Sequence, residues 1–521
     1  MEVLTSAHMD MADKLTINEI GIPSIVLMEN AARAVFEVFT KLDNIKKDKI
    51  AIFVGKGNNG GDGLALSRYL IQGGFDVDIY LLSEEAGLKG DSLINFNILK
   101  SYPARFNILK EESEINLTIY DVIFDAIFGS GFKGIVQGFV NKVIDNINRC
   151  KAIKIAIDIP SGLSADTYTG AGNHIIADYT VTFCRPKIVH CLYPVRHYCG
   201  QTIVADISIP DYAVEQQHTN MFLLRSENLP IIKKRRPDAH KGTFGHAVII
   251  GGSQGKTGAA IMASLSCART GAGLTTCVIP GGLYDIIGSN LVEIMSHPVS
   301  QNTFFNEGDM SDVAGFLEDK TVAAIGPGLG RSEETVKFVR RLLKEVKNKV
   351  VIDADAIFAL DIDTLKHLSL RAILTPHIGE FARLLELDIE QVLSNRIELA
   401  MEFANRYNIY LILKSADTLI VSPEGNILIN VTGSPSLSKG GSGDCLTGLI
   451  TGFLSQGYSF TDAASLSVFI MGRTAEILAH RYNENTILTR DIIDNIWTTF
   501  NEISFYQQQC QGHKTYSSVT I

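Results

Sequence analysis

Cysteine is scarce and scattered in this chain of 521 residues: there are eight, at irregular spacings, with no CxxC pair. That pattern excludes a disulfide framework and reads as reduced, mostly buried thiols. Cys184, Cys191 and Cys199 fall close together, but their spacing fits none of the common zinc sites. Long apolar runs are absent too, and the first residues, MEVLTSAHMDMADKL, contain no apolar h-region. No membrane span or secretory leader is expected, and the cytoplasm is the expected compartment. Positive charge is in deficit, with 47 Lys and Arg against 57 Asp and Glu and a net charge of −10. A general nucleic-acid binder needs a basic face to displace counterions, so that class is excluded, although a local basic pocket for phosphates is not.

What is present is core-forming material: 46% apolar and 20% charged residues describe a globular chain, and 521 residues suffice for two or more domains. Through the first 220 residues, β-branched runs (KIAIFVG, FDVDIYLL, YDVIFDAIFG, AIKIAIDIPSG, TVTFCRP, IVADISIP) alternate with helical stretches such as GLALSRYLIQGG. Continuous apolar strands separated by helices predict a parallel sheet covered on both faces. The pattern lapses at LPIIKKRRPDAHKGTFG, a linker near 225–241, and resumes with HAVIIGG, TTCVIP, TVAAIGPG, VVIDADA, AILTPH and IYLILK. The expected organisation is therefore an α/β domain over 1–224, a second over 225–505, and a polar, frayed tail over 506–521.

In the first domain, GKGNNGGDG (Gly55 to Gly63) stands where a strand gives way to a helix expected to begin near Asp62. Gly55, Gly57 and Gly60 have the spacing of a dinucleotide fingerprint, and Asp76 or Asp78 falls where a ribose-binding acid would be sought. Asp62 fits a plain pyrophosphate site poorly, because it would repel the anion unless a cation or a protonated group lay nearby. Parallel strands gather their carboxyl ends on one edge, which would collect Asn59, Asp62, Asp125, Gly129 to Gly134, Asp158 and Ser161, with Lys133 as a phosphate-binding charge. Taken singly, each of these is as well explained as a turn or cap residue.

The segments LTINEIGIPSIVLMENAARA, GKGNNGGDGLALSRYL, DAIFGSGFKG and DIPSG resemble the N-terminal domain of the NAD(P)H-hydrate epimerases over roughly residues 9 to 215. The resemblance implies a Rossmann-like three-layer αβα fold and a potassium ion at Asn59, Asp125 and Ser161. It also implies hydrated cofactor held by Asn58, Asn59, Gly60, Gly61 and Asp62, by Gly129, Ser130, Gly131, Phe132, Lys133, Gly134 and Ile135, and by Asp158. Phe132 departs from the smaller aliphatic residue common there. The C6 centre of hydrated NAD(P)H is a carbinolamine, so losing and regaining its hydroxyl scrambles the configuration. Asp158 is the expected proton shuttle.

In the second domain, HAVIIGGSQGKTG imitates a P-loop, but GxxxxGK[ST] requires glycine at position 250, where Ile250 stands. The loop reads as a ligand-facing turn. The stronger signal is SKGGSGDCLTGLITGFL. Gly440, Gly441 and Gly443 precede a helix opening at Asp444, so amides could stabilise a transferring phosphoryl group while Asp444 accepts the proton of an attacking hydroxyl. The plain alternative is that Asp444 is an N-cap. His377, after Pro376, is either a ligand contact or a turn hydrogen bond.

These residues resemble the ribokinase-like family. HKGTFGHAVIIGGS, AAIGPGLG, VIDADAI, LTPHIGEFARLL and LKSADTLIV narrow the likeness to the NAD(P)H-hydrate dehydratases over about 235 to 500. That implies cofactor contacts at Ala260, Gly328, His377 and Asp444, and an adenine nucleotide along Lys414, Ser415, Ala416, Asp417 and Thr418 and at Gly443. ADP or ATP would be cosubstrate, with Mg²⁺. Phosphorylation turns the C6 hydroxyl into a good leaving group, the ring nitrogen expels it, and loss of the C5 proton restores the dihydropyridine. The joint expectation is a bifunctional repair enzyme that equilibrates the R and S hydrates of NADH and NADPH and dehydrates the S form, and it is expected to form a homo-oligomer. The alternative is a vitamin or sugar kinase fused to a non-catalytic nucleotide-binding domain.

Overall fold

The computed structural model describes residues 1–111, 113, 115–170, 172–509 and 519–521. The chain divides into two compact units, one built from Met1–Met221 with the described end of the chain, the other beginning at Phe222.

The first unit is an eight-stranded sheet in the order Val519–Thr520, Gln201–Ala205, Tyr179–Phe183, Ile153–Ile157, Val122–Ala126, Lys49–Val54, Asp76–Leu81, Arg105–Ile108. Its strands are parallel apart from the first, which pairs antiparallel. Period-two alternation explains the layering. Ile50, Ile52 and Val54 pack with Ala32, Val35 and Phe39 of the helix Ser24–Lys41 and with Leu64 and Leu66 of the helix Asn58–Gln72. Ala51 and Phe53 point the other way, to Val143, Ile144 and Ile147 of Gly138–Arg149. The result is three αβα layers. Chain order reverses between Lys49–Val54 and Val122–Ala126, the switch point where such sheets bind ligands.

The ten-stranded sheet of the second unit runs Met295–Val299, Leu274–Pro280, His246–Ile250, Val322–Ile325, Lys349–Ile352, Ala372–Leu374, Tyr410–Leu413, Thr418–Val421, Ile427–Asn430, with Met221–Leu223 at its edge. It is parallel up to Tyr410–Leu413, and the two strands that follow are antiparallel. Its switch point lies between His246–Ile250 and Val322–Ile325. The helix Ser442–Ser455 is buried almost all round and lies along Thr257–Arg269. Glycine permits that approach: a Cβ on Gly448 would stand 2.1 Å from the Ala263 carbonyl oxygen.

Several sequence expectations shift. The first glycine-loop helix begins at Asn58, not near Asp62, and the later one at Ser442, not Asp444. Asp76 opens its strand rather than ending it, so Asp76 and Asp78 lie toward the amino edge, away from any ribose, and both pair with Arg105. The strand Arg105–Ile108 escaped notice because it is an exposed edge with no apolar run. The linker is laid on the second unit, with Leu229 in its core and the Lys233 amide donating to the Tyr458 hydroxyl at 2.9 Å. The tail is not frayed throughout: residues 506–509 continue the helix Thr489–Gln509, and Val519 and Thr520 pair with Val204 and Ile203. The remainder of the expected tail lies outside the described residues. Cys184, Cys191 and Cys199 are buried, and among the described residues no helix is long and apolar enough to cross a membrane.

Candidate active sites

At the switch point of the first unit lies a cavity of about 620 Å³. Its floor comes from strand ends and glycine loops: Asn58, Asn59, Asp62, Gly129, Ser130, Gly131, Phe132, Lys133 and Asp158 all line it. Two helices close it. Met9, Asp13 and Ile17 come from one face at a spacing of four, and Ser24, Leu27, Met28 and Ala31 from one stripe of the next helix. The helix Asn58–Gln72 has no side-chain cap, so amides of its first turn are available to an anion.

Four expected contacts do not line this cavity. Gly60 and Gly61 are packing glycines: a Cβ on Gly60 would sit 1.9 Å from the Gly55 carbonyl oxygen, and one on Gly61 would meet Met28 and Ser92. Gly134 turns the chain with φ +98°, and Ile135 beyond it is 65% exposed. Asp62 loses its conflict with a phosphate, because burial and the neighbouring Asp158, Asp13 and Asp91 push its carboxyl well above the usual range and favour the neutral form.

Asp158 sits at the end of Ile153–Ile157 with φ +65°, in the left-handed region. Its carboxylate is surrounded by donors: Lys187 Nζ at 2.9 Å and Thr182 Oγ1 at 3.0 Å on one oxygen, the Ser130 amide at 2.8 Å on the other. Burial pushes its pKa up, but the Lys187 ammonium outweighs it and holds the group at about 2. The Lys187 ammonium thus holds Asp158 in its ionised form. Lys187, only 1% exposed, was missed, since a lone lysine after a strand looks like a surface residue. It also donates to Thr182 Oγ1 and the Phe183 carbonyl. His190 beneath accepts the Lys187 amide at Nδ1, so Nε2 carries the proton and faces the Asp158 carbonyl; burial first, then Lys187, lowers its pKa to about 3.

Asn59, Asp125 and Ser161 are gathered around Phe128. Asn59 Nδ2 donates to the Phe128 carbonyl at 2.8 Å, the Phe128 amide donates to Ser161 Oγ at 2.8 Å, and Ser161 Oγ donates to Asp125 at 2.5 Å. Asn59 Oδ1 is buried with no hydrogen-bond partner. Burial raises the Asp125 carboxyl to about 6 against its bonds from Ser161 and Ile127. An unpartnered carbonyl oxygen and a buried carboxylate, linked through Phe128 and Ser161, are hard oxygen donors of the kind that cations take. These residues fit a potassium ion.

In the second unit the glycine loop after His246–Ile250 has its amides taken up by protein carbonyls, mostly outside the loop. The Gly252 amide donates to Pro327, and that of Lys256 to Ser253. No P-loop cradle forms there. Ala260 is buried behind this loop, and Gly328 faces it with φ +64°. Lys256 and Arg331 both reach Asp355.

Asp444 is the third residue of the helix Ser442–Ser455, following Gly441 at φ +95°, and is not its N-cap. Burial first, then Asp353 and Asp355, push its carboxyl up to about 7, against the pull of Lys414. Beneath it the buried Asp353 carboxylate takes Lys414 Nζ at 2.8 Å, Thr375 Oγ1 at 2.7 Å and Thr447 Oγ1 at 2.8 Å, tying two strand ends to the Asp444 helix. A Cβ on Gly443 would come 3.3 Å from Lys414 Nζ, so Gly443 and Lys414 share one spot. Asp353, Thr375 and Thr447 were not singled out in the sequence.

His377 does make the turn bond: Nδ1 accepts the Gly379 and Glu380 amides, and Nε2 of the 60% exposed ring lies 3.5 Å from Glu380 Oε1. Of the nucleotide strip, Ala416 is exposed, Thr418 is buried in its strand, and Ser415 Oγ donates to Asp417. The Asp417 carboxylate is buried against Arg396.

Two family descriptions match the chain: "YjeF-related protein N-terminus" over residues 24–189 and "NAD(P)H-hydrate dehydratase" over residues 247–498. A bifunctional NAD(P)H-hydrate repair enzyme of Moorella thermoacetica is 38% identical over 95% of this chain and 96% of its own length. One from Dictyoglomus turgidum is 35% identical over 96% and 99%. Among solved structures, an ADP/ATP-dependent NAD(P)H-hydrate dehydratase from Bacillus subtilis, co-crystallised with ATP and Mg²⁺, is 28% identical over 55% of this chain and 99% of its own, with a TM-score of 0.47.

Proposed function

The chain belongs to the bifunctional NAD(P)H-hydrate repair enzymes, and from that membership we propose how its two sites divide the work. The first unit is an epimerase and the second a dehydratase. The observation that supports the assignment to sites is the gathering of glycine loops and aspartates at the carboxyl edge of each sheet, Asp158 on Lys187 in the first and Asp444 in the helix held to Asp353 in the second.

In the first site the helix end at Asn58, with Lys133, receives the phosphates, and the nicotinamide half enters beneath Asp13, Met28 and Phe132. Departure of the C6 hydroxyl leaves positive charge on the ring, which a permanently charged Asp158 offsets. Asn59, Asp125, Ser161 and the Phe128 carbonyl would hold K⁺, which would steady the two loops and compensate the buried Asp125 charge.

In the second site Asp444, poised near neutral pH, takes the proton of the C6 hydroxyl as that oxygen attacks the terminal phosphoryl group of ADP or ATP. Gly443 and Lys414 attend the phosphates. Mg²⁺ would arrive on the nucleotide phosphates. The phosphorylated oxygen then leaves as orthophosphate and the C5 proton is lost.

The test is to incubate the chain with mixed hydrate epimers, ADP or ATP, Mg²⁺ and K⁺, and to follow both the reduced-cofactor absorbance and phosphate. Equal yields of NAD(P)H and orthophosphate are expected. A stable phosphorylated product without recovered absorbance would establish the kinase reading instead.

A further inference from the structure

We propose that Asp13 is the proton carrier of the epimerase site, the group that protonates the departing C6 hydroxyl and recovers a proton from the water that returns. The proposal rests on the epimerase reading above.

Three carboxylates line the cavity, Asp13, Asp62 and Asp158, together with the buried ammonium of Lys187. Lys187 is committed to Asp158. Three of the roughly four acceptor positions of the Asp158 carboxylate are taken by Lys187, Thr182 and the Ser130 amide, and the Lys187 ammonium favours its ionised form. Asp62 opens off the nucleotide-receiving helix end, among the phosphate-binding amides. Asp13 is different. Its helix, Ser6–Leu15, crosses the cavity on the side of the second helix, beside Met9, Ile17, Leu27 and Met28. That is an apolar wall suited to a nicotinamide ring. Among the described residues no hydrogen bond or ion pair reaches the Asp13 carboxylate. A half-buried carboxyl without a protein partner, on the apolar side of a polar cavity, is free to bond to substrate.

The groups that act on it are Asp10 of its own helix, Asp62 and Asp158 across the cavity, and Lys187, with Lys56 and Lys133 also lining the space. Burial dominates and lifts the carboxyl to about 6, with Asp158 and Asp10 adding to it and Lys187 opposing. Both its acid and its base forms are therefore present near neutral pH.

The step balances. The Asp13 proton moves to the C6 oxygen, the C6–O bond breaks and water leaves. The N1 lone pair becomes the second bond of C6=N1, so the ring is cationic and Asp13 anionic. A water oxygen then adds to C6, the C6=N1 pair returns to nitrogen, and the surplus proton returns to Asp13. Only the configuration at C6 can differ.

The experiment compares Asp13→Asn and Asp13→Glu with the unaltered full chain, measuring exchange between the separated epimers by NMR across pH 5–8. We expect Asp13→Asn to lower kcat by about 100-fold or more, with KM within about threefold and with dehydration by the second unit unchanged as the internal control. The unaltered chain should lose exchange activity as pH rises through about 6, and Asp13→Glu should restore part of kcat together with that limb. Exchange by Asp13→Asn near the normal rate, or loss that appears in KM and is not rescued by Asp13→Glu, overturns the proposal while leaving the epimerase reading intact. No exchange by the unaltered chain would overturn both.

Discussion

Replacing Lys187 with methionine keeps the volume of the side chain and deletes its charge. In the native fold Lys187 is 1% exposed on its side chain and Asp158 10%, so the pair has little help from water. The fall of the Asp158 pKa from 3.8 to about 2 corresponds to roughly 2–3 kcal/mol at about 1.4 kcal/mol per pKa unit. Deletion costs more than that, because a buried carboxylate is left uncompensated and Thr182 and the Phe183 carbonyl lose a donor; breaking such pairs costs about 3–5 kcal/mol. The pH dependence identifies the cause. In the unaltered chain the folded pKa is depressed, so the contribution of Asp158 is complete above its unfolded value near 3.8 and is lost as pH falls toward 2. In Lys187→Met the unpaired carboxyl titrates higher in the folded state than in the unfolded one, so acidification relieves the penalty. Denaturant unfolding followed by hydrogen exchange in Ile153–Ile157 and Tyr179–Phe183 should therefore show a gap of about 3–5 kcal/mol at pH 7 that narrows by pH 4.5. A gap under about 1 kcal/mol, or one that does not change with pH, would refute the reasoning.

Asp444→Asn should lower dehydration by at least about 100-fold while ADP or ATP binding, measured by calorimetry, is retained; in the unaltered chain dehydration should rise with pH through about 7 as Asp444 loses its proton. Asn59→Ala should abolish any stimulation of epimer exchange by K⁺ over a bulky organic cation, because it removes the orphaned Oδ1; undiminished stimulation would place the ion elsewhere.

The strand-end residues were legible because a parallel sheet leaves its carboxyl ends on one edge whatever the details. Asn59, Asp125, Asp158 and Ser161 could be collected from short motifs, and so could Asp444. Lys187 and Asp13 could not. Lys187 reaches the site because its backbone is bridged to Leu4 and its side chain is drawn in beneath Asp158, while Asp13 arrives on a helix that folds back over the cavity. Both depend on how distant segments wrap, which no local spacing records. The packing role of Gly60 against the Gly55 carbonyl was not legible either, because a glycine that lets two backbones touch looks the same in sequence as one that admits a phosphate. Asp353 stood in view in VIDADA, but its grip on Thr447 becomes visible only when the helix Ser442–Ser455 is laid against the strand ends.

The most direct test of the account supplies only the R epimer of the hydrate, which the dehydratase site must receive through the epimerase site. With ADP or ATP, Mg²⁺ and K⁺, the unaltered chain should return nearly all of it as NAD(P)H, and Asp444→Asn should yield a mixture of R and S with no recovered absorbance. Quantitative recovery from R by a chain carrying both Asp13→Asn and Asp158→Asn, at a rate above that of spontaneous epimerisation, would contradict it.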